Sequence, residues 1–408
     1  MSAELDRRIA EAVRSIADEP VVAPPPPAAV RARAADLGRL SGRRVGTPAP
    51  GWRGPLLAAA AVLVMLAGLA WLPGTLAGSR APGPGAAPAD VTLPVEFAGL
   101  SLLTASVSAS PPGRAIALYR PGTLGIRYLG TSQVVVVGAD GRTYRRLDLA
   151  ERRGAVGADG EWHAADAMLS PDGLAAAVAV PDEATDRIDV VDLRTGAARA
   201  YRLDPPAGGR LLDWSPDGRY LAIETYEKPQ ANAPGVGILI LLDTRTGEIT
   251  RLTGASLTGS WMAVSFSPDG TTVAIGGFAG PGDNAVVVVD LTGDVRRTLP
   301  LKPHQSLAGR EAWSPDGRLL VIEDRSTDPF QLSFLDATGT GRPVPDPIPY
   351  VNPDGKTFIV DLLGWRSPGS LLVGVEHKDY EILESPTDGG APRTLSRLTR
   401  GSGQLFRA

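Results

Sequence analysis

The stretch Leu211-Leu212-Asp213-Trp214-Ser215-Pro216-Asp217-Gly218-Arg219-Tyr220-Leu221-Ala222-Ile223 decides the fold of this chain. It reads as an apolar strand ending in an aromatic residue, a four-residue turn, and a second apolar strand. Proline fixes φ, aspartate bonds local backbone and glycine supplies positive φ, so Ser-Pro-Asp-Gly reverses the chain between antiparallel strands. The unit recurs around Phe266-Ser267-Pro268-Asp269-Gly270 and Trp313-Ser314-Pro315-Asp316-Gly317, each followed by an apolar run. Met168-Leu169-Ser170-Pro171-Asp172-Gly173 is a fourth copy, without the aromatic. Ser110-Pro111-Pro112-Gly113 and Trp365-Arg366-Ser367-Pro368-Gly369 are degenerate copies at the two ends. The six serines lie 60, 45, 52, 47 and 53 residues apart, a period that marks a repeat architecture. Asn352-Pro353-Asp354-Gly355 comes too soon before Ser367 to begin a unit and is expected in a connection.

Each unit carries a second hairpin. Ile188 to Asp192 leads into Thr195-Gly196, Ile238 to Asp243 into Thr246-Gly247, Val286 to Asp290 into Gly293, and Leu332 to Asp336 into Gly339. Looser forms run from Val134 to Gly141 and from Ile382 to Gly389. Short strands joined by Asp/Thr-Gly turns are hairpin signals. Four strands per unit, six times over, predict an all-β fold, a six-bladed β-propeller over residues 92–408; seven blades remain an alternative. The segment from Val91 to Phe97 and the end from Gln404 to Ala408 are expected to meet where the ring closes.

Composition sets the outer bounds. The chain has 408 residues, of which glycine (48) and proline (37) form about a fifth, and 43% are apolar, enough for a core. With no cysteine, disulfides, thiolate metal sites and a cysteine nucleophile are excluded. Net charge is −4, and no nucleic-acid partner is expected.

Ahead of the repeats, Gly54 to Ser79 is uncharged, and Leu56 to Leu72 holds no polar side chain. Those 17 residues cover about 26 Å as a helix, close to a bilayer's hydrocarbon thickness. Trp52 and Trp71 sit at its ends, and Pro73-Gly74 stops it. A transmembrane helix over 54–78 is the expectation; a buried soluble helix and a signal peptide cleaved near Ala77–Ala81 are the alternatives. Between Val30 and Arg53, Arg31, Arg33, Arg39, Arg43, Arg44 and Arg53 stand against Asp36 alone, so residues 1–53 are expected in the cytoplasm and the propeller outside. Residues 79–91 form a Pro/Gly/Ala linker. In the tail, Leu5, Ile9, Val13 and Ile16 share a helical face behind the Pro24–Pro27 spacer. That face either contacts a cytoplasmic regulator or belongs to a solvated, partly disordered tail.

The recurring Trp/Phe-Ser-Pro-Asp-Gly followed by an apolar strand resembles the WD40-like repeats of TolB-type β-propellers over about residues 92–400. The order of tail, span and propeller resembles membrane-anchored bacterial forms. The resemblance implies a binding module, with a protein partner or envelope ligand. TolB-type propellers also precede the catalytic domain of prolyl-oligopeptidase-like hydrolases, but no such domain is expected here.

No catalytic, cofactor or metal residues are predicted. Ser170, Ser215, Ser267, Ser314 and Ser367 sit in no Gly-x-Ser-x-Gly elbow, and Asp217, Asp269 and Asp316 recur at turn positions. Trp214, Phe266 and Trp313 share one register and read as packing between blades. His163, His304 and His377 have no i, i+4 partner, and phosphate-loop and zinc motifs are missing from the sequence. Binding residues are not legible, although the polar insertions 179–187, 226–237, 277–284 and 323–330 occupy one topological place and are expected on one face. They are either binding loops or plain solvated ones. An enzyme working in the central funnel and an envelope scaffold are the rival readings. A cluster of Asp, Glu, His or Arg at one mouth would favour the enzyme.

Overall fold

The computed structural model describes residues 93–98, 103–121, 133–156, 162–179, 187–203, 208–226, 237–252, 262–277, 284–324, 330–350, 359–376, 379–398 and 405–407. The tail 1–53, the expected span 54–78, the linker 79–91 and the stripe Leu5, Ile9, Val13 and Ile16 lie outside them. Among the described residues, no helix is long and apolar enough to cross a membrane.

Six four-stranded antiparallel sheets follow one another, each with its strands in chain order except the first. Blade 2 is Asp166–Leu169, Ala175–Ala179, Arg187–Asp192 and Ala198–Arg202. Blade 3 is Gly208–Trp214, Tyr220–Tyr226, Gly237–Asp243 and Ile249–Arg251. Blade 4 is Met262–Phe266, Thr272–Gly277, Ala285–Asp290 and Val295–Pro300. Blade 5 is Gln305–Leu307, Leu319–Asp324, Phe330–Asp336 and Ile348–Tyr350; blade 6 is Ile359–Ser367, Ser370–Glu376, Tyr380–Pro386 and Arg393–Leu398. Blade 1 takes its first strand from the other end of the chain: Leu405–Arg407 pairs with Ala115–Tyr119, ahead of Val135–Gly138 and Tyr144–Arg146. The first strands of neighbouring blades pack on one another, which makes them the innermost.

The expected meeting of the termini takes a double form. Leu405–Arg407 closes the ring inside. Outside, Phe97 N–H donates to the Arg397 carbonyl at 3.1 Å, so the incoming chain adds to the outer strand of blade 6. It then lies along the outer strand of blade 1, where Val107 N–H donates to the Arg146 carbonyl at 2.8 Å. Ser110-Pro111-Pro112-Gly113 therefore enters blade 1 from this strap, and the hairpin partner expected before it is supplied by the C-terminal strand. Asn352 to Gly355 falls between Ile348–Tyr350 and Ile359–Ser367, outside the described residues.

The core lies between blades. Second strands are buried on both faces, as in Ala115–Tyr119, which explains their unbroken apolar runs. Outer strands such as Ala198–Arg202 expose all but one residue. One apolar cluster joins Met168 and Ile188 of blade 2 to Trp214 and Ile240 of blade 3; another joins Ile116, Tyr119 and Val137 of blade 1 to Leu372, Tyr380 and Ile382 of blade 6.

The four full Ser-Pro-Asp-Gly copies fold alike. In blade 3 the Ser215 hydroxyl donates to Asp217 at 2.6 Å, and the Tyr220 N–H donates back to that hydroxyl at 2.8 Å. The Gly218 N–H donates to the Ser215 carbonyl at 2.8 Å. Ser170, Ser267 and Ser314 bond to Asp172, Asp269 and Asp316 in the same way. The serines and aspartates serve the turn, as their repetition predicts. The connections after the second strands, the expected polar insertions, all leave the opposite end of the blades from these turns. Their interiors lie outside the described residues.

Candidate functional site

The innermost strands converge at the Ser-Pro-Asp-Gly end of the ring and enclose a cavity of about 270 Å³. Pro171, Pro216, Pro268 and Pro315 form its rim, one from each full turn. Leu169, Trp214, Phe266, Trp313 and Trp365, at the strand ends, form its wall. Asp213, Arg310 and Glu311 also line it and are its ionisable groups.

The wall is stitched from blade to blade at one register. Asp213 accepts the Trp214 N–H and, across the interface, the Phe266 N–H, each at 2.9 Å. Ser265 Oγ, one blade on, accepts the Ala312 N–H at 2.9 Å. The Trp313 indole N–H donates to the Ser265 carbonyl at 3.1 Å, and that of Trp365 to the Ala312 carbonyl at 3.3 Å. Trp214 breaks the series. Its Nε1 is buried without a hydrogen-bond partner, and the preceding blade ends in Met168-Leu169 where the others place an aromatic.

Arg310 and Glu311 reach the cavity because blade 5 departs from the repeat. Leu307 pairs with Ile322 and Trp313 with Leu320, so Ala308 to Ala312 together face Val321. Both ends of this bulge are fixed: Ala308 N–H donates to the Val321 carbonyl at 3.1 Å, and Val321 N–H to the Ala312 carbonyl at 2.9 Å. Gly309 turns it with φ of 105°, and Glu311 holds φ of 53°, a conformation costly for a side chain with a Cβ. Blade 6 makes room. At Gly364, with φ of 121°, an added Cβ would lie 1.9 Å from Glu311 Oε2. At Gly374 one would lie 1.8 Å from the Tyr380 hydroxyl, which donates to Asp361 at 3.3 Å behind the wall.

Burial governs the electrostatics. It pushes Asp213 from 3.8 up to about 8, with Glu311 adding to the rise and the Phe266 N–H and Arg310 opposing it. Asp213 is therefore mostly protonated at neutral pH. Burial also pulls Arg310 below its ordinary value, against the attraction of Glu311 and Asp213, and pushes Tyr380 up. A buried, non-repeating charge cluster in a concave site is a functional signal. Its sequence trace is Arg310-Glu311, standing where blades 3 and 4 carry Leu211-Leu212 and Ala263-Val264; reading that copy as a plain strand missed it. The wall itself follows the expected packing register, since Trp214 and Phe266 are both 4% exposed. Among the described residues no group of three or more His, Asp or Glu could hold a metal.

With this geometry in place, the chain can be set beside known proteins. It matches no family profile and no curated protein. Solved structures do match. TolB from Acinetobacter baumannii is 15% identical, with a TM-score of 0.48 over 72% of this chain and 65% of that one. Hydrazine synthase from Kuenenia stuttgartiensis is 15% identical, with a TM-score of 0.46 over 82% and 99%. Prolyl endopeptidases match at 15% identity and 0.44, over 71% of this chain and 44% of theirs. At 15% identity these are likenesses of fold alone, and the chain spans about two thirds of the Acinetobacter chain.

Proposed function

We propose that this chain is a membrane-anchored, extracytoplasmic binding module whose TolB-like propeller takes a segment of a protein partner into the mouth ringed by Pro171, Pro216, Pro268 and Pro315. One observation carries the reading: the bulge in blade 5 departs from the repeat and brings Arg310 and Glu311 into that mouth. At about 270 Å³ the cavity falls below the range for drug-sized ligands and suits one or two anchoring side chains. Rigid turns around a concave centre meet the requirement for low ordering cost on binding. The tail, with Leu5, Ile9, Val13 and Ile16, is the part that would report binding to a cytoplasmic regulator.

Pull-down of the intact protein from membranes tests this. Leu169→Trp, which restores the aromatic at the blade 2 position and fills the mouth, is expected to abolish capture of an extracytoplasmic partner, with circular dichroism checking that the buried position accommodates the ring. Equal capture by the variant overturns the assignment of the mouth.

A second reading has its own observation. A cluster of Asp and Arg does converge at one mouth, and Asp213, protonated near neutral pH, has the ionisation of a general acid. Against it, both Asp213 oxygens already accept backbone N–H groups that hold blades 3 and 4 together. Turnover of a glycan or peptide by the wild type that Asp213→Asn abolishes would establish the enzyme.

A further inference from the structure

We infer that the mouth recognises an uncharged hydrogen-bond acceptor, the backbone carbonyl of a peptide, through the indole N–H of Trp214. The inference rests on the binding role proposed for the mouth and names the chemistry it selects. Trp214, Trp313 and Trp365 occupy the same position, at the end of an innermost strand. The latter two spend their indole N–H groups on the carbonyl just before the aromatic position of the preceding blade, at 3.1 and 3.3 Å. The corresponding atom for Trp214 is the Met168 carbonyl. That bond is not made, and the Trp214 Nε1 is buried with no partner while the residue is 4% exposed. A buried N–H left unpaired costs free energy, which an incoming acceptor recovers.

The surroundings fix what kind of acceptor fits. Trp214 lines the cavity beside Met168, Leu169 and Pro216. Met168 is unbranched and has the rotamer freedom to clear the indole. With Asp213 protonated, Arg310 and Glu311 offset each other, so the cavity has no net charge to draw an ion of either sign, and a charged ligand would lose its hydration there. A neutral carbonyl meets neither objection. Leu169 is the cause of the site: the aromatic of the copies in blades 3 to 6 is replaced there by a smaller side chain, beside the indole that is left unpaired among the described residues.

The test uses the full-length chain in detergent with its seven tryptophans labelled at the indole nitrogen. Trp214→Phe removes one indole resonance and so assigns it. N-acetylalanine methylamide is titrated against N-acetylalanine, which carries a carboxylate, and alanine methylamide, which carries an ammonium. The expected result is a saturable downfield shift of the Trp214 indole proton with the neutral amide, at least tenfold weaker with either charged probe. Loss of that shift is expected in Leu169→Phe as well as Leu169→Trp, so one variant suffices if the other misfolds. An unmoved Trp214 resonance, or a charged probe binding as well as the neutral one, overturns the inference. The pull-down separates this outcome from failure of the mouth: a partner kept by Trp214→Phe but lost by Leu169→Trp removes only the indole's role, whereas a partner kept by both removes the mouth.

Discussion

Two glycines at the same turn position show how much one residue's surroundings matter. Gly173 and Gly270 both have φ of 69°, so alanine meets the same backbone strain at each. They differ in what a Cβ would touch: 2.0 Å from the Ala115 carbonyl oxygen at 173, against 3.7 Å from Pro216 Cδ at 270. Gly270→Ala is expected to cost about 1–2 kcal/mol, the left-handed penalty alone. Gly173→Ala is expected to cost at least about twice that, because backbone must shift; chemical denaturation of the two variants measures the difference. Asp213 sets a pH dependence. Its folded-state value, about 8, lies above the ordinary 3.8, so the folded chain keeps a proton that the unfolded chain releases. Stability from this group is complete below about pH 4 and is lost as pH rises to about 8. Asp213→Asn forfeits one acceptor and is expected to cost about 1–3 kcal/mol at pH 5. The deficit should narrow or reverse by pH 8, as urea titrations at the two pH values would show. The turn carboxylates act the other way. Hydrogen bonds from the Ser267 and Ser314 hydroxyls hold Asp269 and Asp316 below the usual range, so their contribution is lost only in acid.

Among the elements, the closing strands matter most. Leu405–Arg407 is three residues long, yet it supplies the innermost strand of blade 1. The strap opposite it buries Phe97 against Tyr119, with ring centroids 5.1 Å apart, in the cluster between blades 6 and 1. Tyr119 also donates its hydroxyl to the Ala98 carbonyl at 2.6 Å. Phe97→Ala is expected to cost about 3–5 kcal/mol, read as a lower urea midpoint. Deleting 405–408 should do more than lower the midpoint. It bares the edge of Ala115–Tyr119, an apolar strand, and aggregation on size exclusion is the expected outcome. An unchanged monomer would mean that the outer strap alone closes the ring.

For the whole molecule, orientation is the first question. The proposed topology puts the propeller outside, because between Val30 and Arg53 six arginines stand against one acid. Protease added to intact protoplasts should digest residues 91–408 and spare the tail; a protected propeller would reverse the topology. Carrying its core between blades, the propeller depends on every interface at once, and a substitution at Leu169 or Trp214, both buried in those interfaces, should lower the urea midpoint.

Much of this was legible in the sequence. Ser-Pro-Asp-Gly carries its own turn, because hydroxyl, carboxylate and glycine N–H satisfy one another within a few residues. Four such turns, two degenerate copies and six second hairpins point to six blades. The closure was foreseen only as a meeting of ends, since which strand each end joins depends on how the ring is wound. The site was not legible at all. Asp213 comes from blade 3 and Arg310 and Glu311 from blade 5, far apart in sequence. Nothing local tells that the inserted Gly309-Arg310-Glu311 leaves its strand toward the axis, or that Gly364 clears a place for Glu311. Those are contacts across blades, and only closing the ring creates them. The missing aromatic at Leu169 was plain in the sequence, but the orphaned indole beside it became visible only when Trp214 had neighbours.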